Sequence, residues 1–201
     1  MFLPWLAIIL LIFVEPTAVA GWNIALSITS QAGGAFGGEP FLIQPVVIVN
    51  NKKGELQSSF QGRMTVQAHT FPNGKYEAIW KEGEVVPTTA SDTFISESVV
   101  NGQVAFAGLG IDTAGGGYQL NFVLYDEHGL IMGTAIGDEF AVNVGERFQL
   151  GFVIQPEMAY GGSVFGSQPL LAVQDRGGNT VTDVSEGMVC CKYILYILHG
   201  R

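Results

Sequence analysis

The chain has 201 residues, with 9 Lys and Arg against 18 Asp and Glu, a formal charge of −9 and 48% hydrophobic residues. No cluster of Lys and Arg is present to neutralise phosphates, which excludes a nucleic-acid-binding role. The abundance of Val, Ile, Phe and Tyr excludes a disordered chain.

In chain order, the first element stands apart from the fold. Residues 2–14 form a nearly unbroken apolar run, shorter than the roughly 20 residues a bilayer requires. The run matches a signal-peptide core of about 7–15 residues, and Pro16 and the small-residue pattern Ala18-Val19-Ala20 follow it. Residues 1–20 are therefore read as a signal peptide cleaved before Gly21, which implies secretion. No Lys or Arg precedes the run, so the alternative is an uncleaved anchor that holds the protein at the cell surface.

After residue 20, apolar residues alternate with polar ones and no helical period persists. In NIALSITS (23–30), Ile24, Leu26 and Ile28 share one face. QPVVIVNN (44–51), RMTVQAH (63–69), QVAFAGLGI (103–111), YQLNFVLYD (118–126), EFAVNVG (139–145) and FQLGFVIQ (148–155) continue the series. Pro72-Asn73-Gly74, Asn101-Gly102, Gly115-Gly116-Gly117 and Glu127-His128-Gly129 separate the strands, and Asn-Gly marks a tight hairpin. Glycines 108, 110 and 115–117 are expected at positive φ. Tyr118, Leu120, Phe122 and Leu124 should point inward against Phe106, Leu26 and Ile28. Short strands with this punctuation predict an all-β, antiparallel sandwich.

The chain also resembles itself. Residues 21–62 align without gaps on residues 145–186, with identities at Gly21/Gly145, Leu26/Leu150, Gln31/Gln155, Gly37/Gly161, Gly38/Gly162, Phe41/Phe165, Gln44/Gln168, Pro45/Pro169, Val49/Val173 and Gly54/Gly178. This is about ten matches where the composition gives about three by chance. Chance likeness of two Gly-rich strand segments does not account for a fixed register that includes Gln-Pro and the strand behind it. Residues 21–144 are read as a complete unit, 145–187 as an incomplete second one, and 188–201 as an unrelated tail, expected to be disordered. A unit lacking most of its strands cannot cover its inner face. The natural protein is therefore expected to be a longer array, of which this chain is a fragment.

The segment 101–126, followed by FAVNVG, resembles the second half of a bacterial-type immunoglobulin-like repeat found in large surface and adhesion proteins. Gln155-Pro156, Gly161-Gly162, Gln168-Pro169 and Asp175-Arg176-Gly177-Gly178-Asn179 are similar to the start of the next such repeat. The first copy departs from the pattern: Ala32 follows Gln31, and Asn51-Lys52-Lys53-Gly54-Glu55 replaces the turn. Its middle, about residues 70–92, is also long. The resemblance implies an immunoglobulin-like β-sandwich with a structural or adhesive role, and it brings no catalytic residues.

The side chains offer little chemistry. His69, His128 and His199 have no Ser in a nucleophile-elbow pattern beside them. The only cysteines, Cys190 and Cys191, are adjacent, so no disulfide within the main domain and no zinc-ligand spacing is expected. No Asn-x-Ser/Thr acceptor for N-glycosylation occurs. Asp126-Glu127, Asp138-Glu139 and Asp112 would bind calcium only if their loops met at one end of the sandwich; solvated turn carboxylates are the simpler reading. Gly115 to Gly117 lack the Lys and helix of a phosphate cradle. Trp80, with Tyr76 and Phe71, is read as a hairpin packed on the core, or else as an exposed patch for a sugar or protein. No catalytic, cofactor-binding or metal residue is assigned, and no enzyme is expected. The expected partner is an extracellular protein or glycan, with a membrane tether in a longer form. The alternatives are the first part of a receptor ectodomain, or a calcium- or carbohydrate-binding module.

Overall fold

The computed structural model describes residues 23–71, 74–84, 94–158 and 160–182. The expected signal peptide, the end of the second unit at 183–187, and the tail with Cys190, Cys191 and His199 lie outside the described residues. Among the described residues the chain is all-β, and no helix is long and apolar enough to cross a membrane.

Strands β1 (Ile24–Ser30), β3 (Val46–Asn51) and β8 (Gln103–Ala105) form one antiparallel sheet. A larger sheet is centred on β4 (Gly62–Thr70) and β10 (Gly115–Asp126), antiparallel from Tyr118 opposite Thr70 to Asp126 opposite Gly62. The far edge of β4 takes β5 (Lys75–Glu77) and β7 (Ile95–Ser98). The far edge of β10 takes β11 (Ile131–Ile136) and β12 (Phe140–Asn143). Beyond β12 lies β2 (Ala35–Phe36), paired in parallel through Val142 opposite Ala35, a departure from the purely antiparallel expectation. The connection that a parallel pair requires is supplied by the strands β3 to β11, which lie between the two in sequence. β6 (Ile79–Lys81) and β9 (Leu109–Ile111) make a separate small pair.

The period-2 pattern places the core. Tyr118, Leu120, Phe122 and Leu124 are buried, while Gln119, Asn121 and Val123 are half-buried on the other face of β10. Phe122 meets Phe106 with ring centroids 5.6 Å apart. Val47, Val49, Met64 and Val66 are fully buried in the same cluster, and Leu26 and Ile28 pack against it. The expected Asn101-Gly102 hairpin is present: φ is 52° and 72°, and Val100 and Gln103 exchange hydrogen bonds of 2.9 and 3.0 Å. Two local expectations differ. QVAFAGLGI divides into β8 and β9, because Gly108 turns the chain at a φ of 69°. Of the three consecutive glycines only Gly117 has positive φ, while Gly115 and Gly116 begin β10; Gly110 also sits in strand β9 without it.

The Gln-Pro signature has a physical role. The Gln44 side chain accepts from Leu109 N–H at 3.0 Å and donates to Phe41 and Leu109 carbonyls at 2.8 and 3.2 Å, so one amide tethers β9 to the start of β3. Pro45, which has no N–H to give a ladder, sits just before that strand. Gln31 similarly accepts from Asp138 N–H at 3.1 Å.

Burial raises the Tyr118 phenol above its ordinary value of 10.0, and Glu77 adds to the effect. A group with a raised folded pKa contributes stability that is full below its unfolded value and lost as pH rises through the folded one. Stability should therefore fall above about pH 10, and Tyr118→Phe should flatten that fall. The same change removes the hydrogen bond from Tyr118 Oη to the Thr113 carbonyl, 2.9 Å long, at about 1 kcal/mol near neutrality. Urea melts of both proteins across the alkaline range check this, and parallel curves would refute it.

After residue 144 the chain forms a hairpin of β13 (Gln149–Ile154) and β14 (Leu170–Gln174). Its pairing matches that of β1 and β3 at a constant offset of 124 residues (150 minus 26): Leu26 faces Val49 as Leu150 faces Val173, and Ile28 faces Val47 as Phe152 faces Leu171. Both hairpins carry a register shift at the corresponding place, between Ile28 and Ser30 and between Phe152 and Ile154. Gln168 Nε2 donates to the Phe165 carbonyl as Gln44 does to that of Phe41. The surroundings differ: Val47 and Val49 are fully buried while their counterparts Leu171 and Val173 are half-buried, and Leu26 and Ile28 are half-buried while Leu150 and Phe152 are 53% and 48% exposed.

Candidate functional site

The most built polar arrangement lies where the β13–β14 hairpin meets the body of residues 23–144. After β14 the chain reverses over Asp175-Arg176-Gly177-Gly178-Asn179, closed by Asp175 N–H to the Asn179 carbonyl at 2.9 Å, with Gly178 at a φ of 87°. Asp175 is 0% exposed. A carboxylate can stand such burial only when donors surround it. Its Oδ1 accepts from Asn179 N–H at 2.8 Å, its Oδ2 from Gly145 N–H at 2.8 Å, and both oxygens from Asn179 Nδ2 at 3.1 and 2.9 Å.

Asn179 carries the turn into the body. Its Nδ2 donates to the Asp112 carbonyl at 2.6 Å, and its Oδ1 accepts from Ala114 N–H at 2.8 Å. One primary amide thus satisfies a carbonyl and an N–H of the segment between β9 and β10, about 65 residues away in sequence. Gly37 and Gly38 are buried beneath the turn. A Cβ on Gly37 would collide with Asn179 Nδ2, Asp175 Oδ2 and the Asp112 carbonyl. One on Gly38, whose φ is 75°, would collide with the backbone of Arg176 and Gly177. One on Gly177 would collide with the Asp112 carbonyl and Gly38 N. The two backbones touch because three glycines let them. Beside the turn, the Arg176 guanidinium lies 4.6 Å from the centre of the Phe148 ring. An open cleft lined by Phe36, Glu39, Val144, Glu146, Arg147 and Val181 flanks the junction.

The candidates named from sequence fall elsewhere or take other roles. Asp112 does not face an acidic cluster; its Oδ1 accepts from Trp80 Nε1 at 2.8 Å while its carbonyl serves Asn179. Asp126 Oδ1 caps its own hairpin, accepting from His128 and Leu130 N–H at 2.9 and 2.8 Å. Asp126 ends β10 and Glu127 follows it, whereas Asp112 precedes the strand and Glu139 lies beside Gly117, about 30 Å from Asp126 along the strand. The acidic loops therefore do not share one end, and among the described residues no three His, Cys, Asp or Glu converge to hold a metal ion. Trp80 is half-buried beside β9, while Tyr76 and Phe71 are exposed. Lys81, next in the chain, pairs with Glu97 at 2.5 Å and Glu84 at 3.0 Å, and these carboxylates, Glu97 first, raise its pKa. His69 stands within β4 opposite Gln119 and Tyr76, and His128 is exposed in its turn.

Asp175, Asn179 and the Gly37-Gly38 pair were visible in sequence as a motif and a repeated doublet, but their contact was not. Each doublet reads as a loop by itself, and only the fold brings one against the turn. No known protein family, curated protein or solved structure matches the chain.

Proposed function

We propose that the protein is an extracellular, non-enzymatic repeat protein of immunoglobulin-like β-sandwich units, acting as a structural or adhesive module. Residues 1–20 would direct secretion, residues 21–144 form one complete unit, and residues 145–187 begin a second. The observation that carries this reading is the second hairpin, which repeats the pairing, the register shift and the Gln side-chain contact of the first at one offset. Repeated units with a built junction between them act through spacing and exposed surface rather than through a catalytic cleft. Sequence residues similar to immunoglobulin-like repeats of surface proteins support the same reading. Its test is expression of the full chain with a C-terminal tag in a secreting host. The tagged product should appear in the medium beginning at Gly21; a cell-retained product that keeps Met1 would overturn the secreted reading.

A further inference from the structure

The two turns at corresponding places, 51–55 and 175–179, share a backbone but differ in what they can join. Asn51 Oδ1 accepts from Lys53 and Glu55 N–H at 2.9 and 3.0 Å, and Asn51 Nδ2 donates to Glu55 Oε2 at 2.7 Å. Asn51 N–H reaches the Glu55 carbonyl at 2.9 Å, the same closure as from Asp175 to Asn179, and Gly54 at φ 83° corresponds to Gly178 at 87°. The carboxylate and the amide have exchanged ends. The first turn is also exposed from Lys52 to Glu55, whereas Asp175 in the second is buried.

The socket reads those differences. It is built from Gly37-Gly38, the Asp112 carbonyl and Ala114 N–H of the first unit, and Gly145 N–H at the junction completes it. The fifth turn residue must donate to Asp112 and accept from Ala114 with one group. Asn does both, and an ionised Glu, which only accepts, cannot. The third turn residue must be Gly, because a Cβ there would strike the Asp112 carbonyl and Gly38 N. The first turn has Lys53 and Glu55 at these places.

We infer that this socket is a recognition site for a turn of the form Asp-x-Gly-Gly-Asn at the start of a following unit, and that Lys53 and Glu55 bar the first unit's own turn from any such socket. Units then join in one order only, and separate copies of the chain do not chain together through their first turns. The inference rests on the repeat reading only in treating the two turns as counterparts; the socket contacts themselves are independent of it.

The test uses the full chain. In D175N/N179E the second turn keeps the internal bonds seen at 51–55 but loses the donor to Asp112. Hydrogen exchange of Ala114 and Gly145 amides should quicken about tenfold or more. The Phe148 amide, bonded to the Gln174 carbonyl across the hairpin at 2.8 Å, should stay protected and so reports that the hairpin remains folded. Unchanged Ala114 and Gly145 exchange would overturn the socket, whatever the outcome of the secretion experiment. Adding N51D/K53G/E55N to that variant supplies a matching turn on the first unit and a vacated socket. Sedimentation should then show concentration-dependent association that is absent from D175N/N179E alone. A combined variant that stays monomeric, with its Phe148 amide still protected, would overturn the recognition rule.

Discussion

Phe122→Ala should lower the unfolding free energy by about 3–5 kcal/mol, a large part of the roughly 5–15 kcal/mol that a domain has. Phe122 is 1% exposed at the middle of β10, with Val66 of β4 on one side and Ala135 of β11 on the other. Its ring fills the space against Phe106 that joins the two sheets. Strands paired on both edges cannot collapse into the void, so the cavity cost adds to the lost transfer energy. The urea midpoint should fall without a change in slope, and the melting temperature by about 10 °C or more. A loss under about 1 kcal/mol would show that the core does not sit between these sheets.

The second large effect is a gain. Residues 59–144 appended directly after Thr182 should give the β13–β14 hairpin the strands that cover its counterpart. In the first unit Leu26 and Ile28 pack on the core, and Val47 and Val49 are fully buried. Their counterparts Leu150 and Phe152 stand about half exposed, and Leu171 and Val173 are half-buried. Covering the part of each such side chain that is still exposed contributes about 1 kcal/mol. The fit would not be perfect, because Phe152 replaces Ile28 and Leu171 replaces Val47. Those extra carbons in a cover shaped for the first unit cost about 1–3 kcal/mol of strain. The appended unit should therefore fold but melt before the first. Amide protection of Leu150 and Val173 should rise clearly above that in the parent chain. If the appended strands exchange freely and the hairpin is unchanged, the repeat reading fails.

Much of the fold was legible because strand periodicity is local. The alternation in residues 118–125 names the buried face of β10 without knowledge of what it packs on, and Asn101-Gly102 names a hairpin through its own φ preference. The register of the second hairpin was legible for a related reason: a repeated sequence repeats its local pairing. The site was legible only in parts. Asp175 and Asn179 look like an ordinary solvated turn, as Asn51 and Glu55 are, and a turn's composition does not say whether another backbone lies against it. Asp112 was read as a loop carboxylate because Trp80, its partner, lies 32 residues earlier.

By itself, then, the sequence determined an all-β chain, the face each main strand buries, the sites of its tight turns and the 124-residue correspondence between its two hairpins (150 minus 26). These follow from side-chain alternation and backbone preference, which act over a few residues. Only the tertiary structure decided that the acidic loops lie at opposite ends, that Trp80 is tied to Asp112, and that Asn179 is seated over Gly37-Gly38. Those contacts join segments tens of residues apart, and their geometry depends on how the sheets stack and where three glycines allow two backbones to meet.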